Sequence, residues 1–100
     1  MRYTVLTYIF NGYERVHEVR KKDPDANYVL VTDDPHLTSE TWRVVYDPMP
    51  RYSAFAKCYT VRFRPFRYAD TPIIVRVDGS IGINKSLKPI VDEFERGKYD

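Results

Sequence analysis

Hydrophobic and polar positions change period several times along this chain of 100 residues, and each change marks an element. "RYTVLTYIF" is dense in β-branched and aromatic residues, which predicts a first strand, and the turn dipeptide Asn11-Gly12 ends it. "ERVHEVRKK" is polar, with apolar positions only at Val16 and Val19, so a short, weak helix or a loop is expected. "NYVLVT" predicts a second strand closed by "DDPH", and "TWRVVY" a third closed by "DPMP". Ser53 is a favoured N-cap for a helix beginning "AFAKCYTVRF", and Pro65 limits its far end. "PIIVRV" is apolar apart from Arg76, the pattern of a central strand covered on both faces. In "SLKPIVDEFERG", Leu87, Ile90, Val91 and Phe94 fall at i, i+3, i+4 and i+7, one face of a last helix capped by Ser86 and stopped by Gly97.

The predicted order is β, weak α, β, β, α, β, α. Strands alternating with helices favour an α/β fold, a mostly parallel sheet with flanking helices. No repeat or linker interrupts it, so residues 1–100 read as a single domain. Ligands of such sheets bind outside the carboxyl ends of the strands. The segments to inspect are therefore 11–13, 32–36 and 78–80.

Composition narrows the classes. Hydrophobic residues at 43% and charged residues at 30% describe an ordinary soluble chain. No apolar run approaches the ~20 residues of a membrane span, and the N-terminus reads as a strand, not a signal peptide. Cys58 is the only cysteine, which rules out an internal disulfide and a cysteine-cluster metal site. Cytoplasm is the expected location. The net charge of +2 does not by itself imply nucleic acid. Its distribution says more: Arg51, Lys57, Arg62, Arg64 and Arg67 follow one another with no Asp or Glu between them. Such a cluster suits an anionic ligand such as a phosphate, and equally a solvated helix face.

Three strand ends carry candidate chemistry. Asp78, with Gly79 and Ser80, follows the apolar strand; its carboxylate would suit a hard divalent cation gripping a diphosphate, or merely turn the chain. Asp33 and Asp34 close strand two, where an acid can hold a ribose; for Asp34 an Asx turn before Pro35 is the plainer reading. Tyr8, Phe10 and Tyr13 surround the first turn and could stack on a base or pack in the core. His17 and His36 share no ligand spacing with Cys58, and no Walker loop, nucleophile elbow or GxGxxG motif occurs.

In order along the chain, "TYIFNGYERV", "YVLVTDDP", "TWRVV", "AFAKCYTVRFRPF" and "IIVRVDGSI" resemble the glycosyltransferase-like domain shared by certain bacterial polysaccharide-synthesis proteins and plant cell-wall proteins. That domain is similar to nucleotide-diphospho-sugar transferases of the GT-A type. The resemblance runs through nearly the whole chain and covers the nucleotide-binding half alone; the family continues into an acceptor-binding part. It implies that Tyr8, Phe10, Asn11 and Gly12 cradle the base. Asp33 would lie beside base or ribose, and Lys57 with Arg62 would face the diphosphate. Asp78 and Ser80 would stand where the family's Asp-x-Asp motif binds the metal, manganese or magnesium. Ser80 in place of the second Asp leaves one carboxylate for that task.

The expected function is thus binding of a nucleoside-diphosphate sugar, with a divalent metal, for sugar transfer in polysaccharide or glycan synthesis. The alternative is a non-catalytic interaction module on the same half-fold, its basic helix docking a partner or an unpaired sheet edge joining it into a homodimer. RNA binding, suggested by the interleaved "VRFRPFRY", ranks last because the overall charge is small.

Overall fold

The computed structural model describes residues 2–12, 15–77 and 88–95. Four strands form one parallel sheet: β1 (Tyr3–Ile9), β2 (Ala26–Thr32), β3 (Arg43–Tyr46) and β4 (Ile73–Arg76). Helix α1 (Ala54–Phe63) joins β3 to β4 through a 3-10 turn at Pro65–Arg67, and α2 is Lys88–Glu95. The α/β class read from the sequence is the one observed.

The strand order is β3-β2-β1-β4. The chain steps outward from β1 to β3, then crosses back over β2 and β1 to lay β4 on the other side. Crossovers of one hand must lie on opposite faces when the direction reverses, and the two cores follow suit. On one face Tyr3, Val5 and Ile9 of β1 and Ala26, Tyr28 and Leu30 of β2 pack with Val19, Trp42 and Val91. On the other, Leu6, Phe10, Val29 and Val31 pack with Met49, Val61 and Tyr68 beneath α1. The two-residue alternation of β1 thus feeds both layers.

Helix α1 has the predicted limits. The Ser53 side chain accepts the Ala56 N–H at 3.2 Å, and the helix ends before Pro65. The polar 15–22 segment is the loop of the two alternatives, held by side chains instead of helical bonds. The Glu18 carboxylate accepts the Ser39 hydroxyl, the Glu40 N–H (2.9 Å) and the Thr41 hydroxyl (2.9 Å). Trp42 Nε1–H donates to the His17 carbonyl at 2.9 Å. The hydroxyl of Ser39 foremost, then the amide and hydroxyl of its neighbours, hold the Glu18 carboxyl below its usual range despite burial.

Two expectations need correction. Strand β4 pairs with β1 and with no other described strand, so within the described sheet it is an edge. Its residues Ile73, Ile74 and Val75 are only half-buried, each packed in part against the core of one face. On α2, Val91 enters the core but Ile90 is exposed; Leu87 and the expected caps Ser86 and Gly97 lie outside the described residues. Among the described residues no helix is long and apolar enough to cross a membrane.

Candidate functional site at the carboxyl edge of the sheet

The reversal of chain direction falls between β1 and β4, and the crevice outside the carboxyl ends at such a point is where open parallel sheets take ligands. Three features converge there. The first is the turn after β1. Asn11 (φ 59°) and Gly12 (φ 66°) are both left-handed, a conformation that these two residue types tolerate best. Both are exposed.

The second is the end of β2. In register, Ile9 lies beside Thr32, so the residues that follow each strand are neighbours. The Asn11 N–H donates to Asp33 Oδ1 at 3.0 Å, while Lys57 Nζ donates to Asp33 Oδ2 at 2.6 Å. The Lys57 and Asp33 side chains are only 11% and 12% exposed, so the pair is largely shielded from solvent. Burial opposes ionisation of Asp33, but the Lys57 ammonium and the Asn11 amide outweigh it and hold the carboxyl below its usual range. Asp34 forms the Asx turn anticipated for it: its Oδ1 accepts the His36 N–H at 2.9 Å.

The third is the start of the crevice wall on β4. The Val77 N–H donates to the Leu6 carbonyl at 2.9 Å and its carbonyl accepts the Thr7 hydroxyl at 3.0 Å, which ties the chain to β1 immediately before Asp78. One residue earlier, Arg76 Nη1 donates to the Arg62 carbonyl at 3.2 Å, joining β4 to α1. Arg62 and Arg76 are exposed, and neither guanidinium has an ion-pair partner among the described residues. Both act on the hydroxyl of half-buried Tyr8, whose pKa is nonetheless raised by burial and by the adjoining Cys58. The Tyr8 ring stacks on Phe10 with centroids 5.5 Å apart and planes 21° apart. Phe10, at 3% exposure, belongs to the core and backs the Tyr8 ring.

Of the residues singled out in the sequence, Asn11, Asp33 and Lys57 therefore meet in one cluster. Tyr8 and Arg62 form a second with Cys58 and Arg76. Lys57 spends its charge on Asp33, whereas Arg62 and Arg76 have no ion-pair partner among the described residues. Arg76 was passed over as a candidate; its signal was there, the one charge in an otherwise apolar strand. Asp78 and Ser80, the expected metal ligands, lie outside the described residues. Among the described residues no three His, Cys, Asp or Glu side chains gather as a metal site. Asp33 and Asp34, the described carboxylates at this edge after β2, already accept hydrogen bonds from Lys57, Asn11 and His36.

Compared with known proteins, the chain matches no family model, no curated protein and no solved structure.

Proposed function

We propose that the crevice between the ends of β1 and β4 binds a nucleoside-diphosphate sugar, and that the domain serves sugar transfer. The observation that carries this reading is the guanidinium couple Arg62 and Arg76, without an ion-pair partner among the described residues, beside Tyr8 at the reversal of strand order. Two planar, permanently charged forks on one rim suit the oxygens of a diphosphate. The Tyr8 ring offers an aromatic face to a base, and the Asn11-Gly12 turn lets a ligand approach the backbone closely. Asp33, fixed at both oxygens and kept ionised, orders that turn, and a ribose beside it would find an acceptor in its carboxylate.

The resemblance noted in the sequence favours the same ligand, and it would give Asp78 and Ser80, two and four residues after Arg76 in the sequence, to a divalent cation. Such an ion would add Lewis-acid stabilisation of the leaving group. The chain's own contribution is electrostatic: Arg62 and Arg76 offset charge that grows on the departing diphosphate, where preorganised donors act most strongly.

Calorimetric titration with UDP- and GDP-sugars, with and without manganese, tests this. One nucleotide should bind, and Arg76→Ala should weaken it at least about tenfold while the fold persists, since the side chain is exposed. Silence from folded protein across the panel contradicts the reading, as does unchanged affinity in both Arg62→Ala and Arg76→Ala.

A further inference from the structure

Helix α1 turns Val61 and Lys57 inward and three rings outward. Phe55, Tyr59 and Phe63 are 75%, 50% and 59% exposed, and their centroids are 5.7 Å and 4.2 Å apart along the helix. Tyr52, 48% exposed, extends the patch beyond the helix N-terminus. Tyr52, Phe55, Tyr59 and Phe63 line, with Ala56, Thr60, Arg64 and Arg67, an open groove of about 840 Å³. The four rings of the groove present on the order of 350–600 Å² of aromatic surface. Monomeric proteins rarely leave a contiguous patch of more than a few hundred Å² uncovered.

The nature of the patch says what covers it. Its lining holds aromatic residues and arginine, with no Lys, Asp or Glu, the composition of a protein–protein interface core. A polyanion would want more free charge. Arg67 is paired with Asp47 at 3.4 Å, leaving Arg64 as the only unpaired cation lining the groove among the described residues. The spacing is informative too. Phe55 and Phe63 lie four residues either side of Tyr59, so the ladder reads the same in both directions about its centre. A two-fold interface must be self-complementary in this way.

We propose that this face binds a second copy of the chain, α1 packing antiparallel on α1 about a two-fold axis through Tyr59. In that register Phe55 meets the partner's Phe63, and Tyr59 meets the partner's Tyr59. Arg64 comes beside the partner's Phe55, where a guanidinium over a ring is favourable. The rings supply a large part of the ~800 Å² per partner that a specific pair buries. Lys57 stays buried beneath the helix, so the pairing leaves the carboxyl-edge cluster intact.

Sedimentation equilibrium from about 5 µM to about 500 µM tests the proposal against a dimer of ordinary micromolar affinity. The chain should show a reversible monomer–dimer equilibrium. Tyr59→Glu, which brings two like charges together on the axis, should raise the dissociation constant at least about tenfold. Lys21→Glu, an exposed control in the 15–22 loop, should not. Phe55→Lys and Phe63→Glu should each weaken the pair, and the double variant Phe55→Lys/Phe63→Glu should restore it, because opposite charges then face one another twice. All five variants replace exposed side chains, and circular dichroism verifies their fold. A monomer at the highest concentration overturns the proposal, and so does a dimer indifferent to Tyr59→Glu. Failure of the double variant to restore pairing overturns the antiparallel register. Binding of a labelled oligothymidylate by a monomeric chain, lost in Tyr59→Glu, would assign the face to single-stranded nucleic acid and overturn it as well.

Discussion

Asp33 joins more of the candidate site than any other side chain described. One oxygen holds the Asn11 amide in the turn after β1, and the other holds Lys57 of α1. Removing one partner of a largely shielded pair strands the other, at a cost of roughly 1–3 kcal/mol. Lys57→Met should therefore destabilise the fold by about that much in a denaturant titration, and Asp33→Asn/Lys57→Met should recover a large part of it. The pH dependence follows from the depressed carboxyl. Stability contributed by Asp33 is fully present above its unfolded pKa of about 3.9 and is lost as pH falls through the lower folded value. Thermal midpoints should fall with acidification over that window in the wild-type chain, and fall less in Asp33→Asn. Both residues were legible in the sequence as candidates, Asp33 at a strand end and Lys57 in an acid-free helix. Their mutual bond was not, because it depends on which helix turn comes to rest over which strand end. That contact also changes their meaning. A lysine read as a phosphate ligand is spent on a carboxylate, and among the described residues Arg62 and Arg76 are the rim charges without an ion-pair partner.

At the scale of elements, legibility follows how local the determining forces are. Helix α1 was readable to its last residue because a cap and a proline bound it, and both act within a turn. Ser53→Ala, which leaves the Ala56 N–H without its acceptor, should cost about 1 kcal/mol in unfolding free energy by chemical denaturation. Which face of α1 is outward was less clear, since rings at every fourth position look like a core stripe until Val61 and Lys57 are seen to point inward. The 15–22 segment had too few apolar positions to choose between helix and loop. Bonds from Glu18 to Ser39, Glu40 and Thr41, some twenty residues distant, decided it. Strand β4 misled in an instructive way. Its apolar run reflects partial burial against both cores, Ile73 and Val75 on one and Ile74 on the other, and not a central place in the sheet.

For the whole molecule, the alternation of strands and helices was enough to indicate a parallel α/β sheet. The order β3-β2-β1-β4 was beyond reach, because local pattern does not say on which side of β1 a returning strand will lie. That order is what brings the Asn11-Gly12 turn and the Arg76 end of β4 to one crevice, and it sets the aromatic face of α1 apart from it. The two proposals thus rest on different surfaces and can fail separately. The measurement that bears most directly on the nucleotide site is a ¹⁵N-edited NMR titration of the labelled chain with UDP and with GDP. The account predicts that one of them shifts the amides of Asn11, Gly12, Asp33 and Val77 in a saturable way, with the α1 ring face unmoved. Shifts confined to residues 55–66, or none at saturating nucleotide, would contradict it.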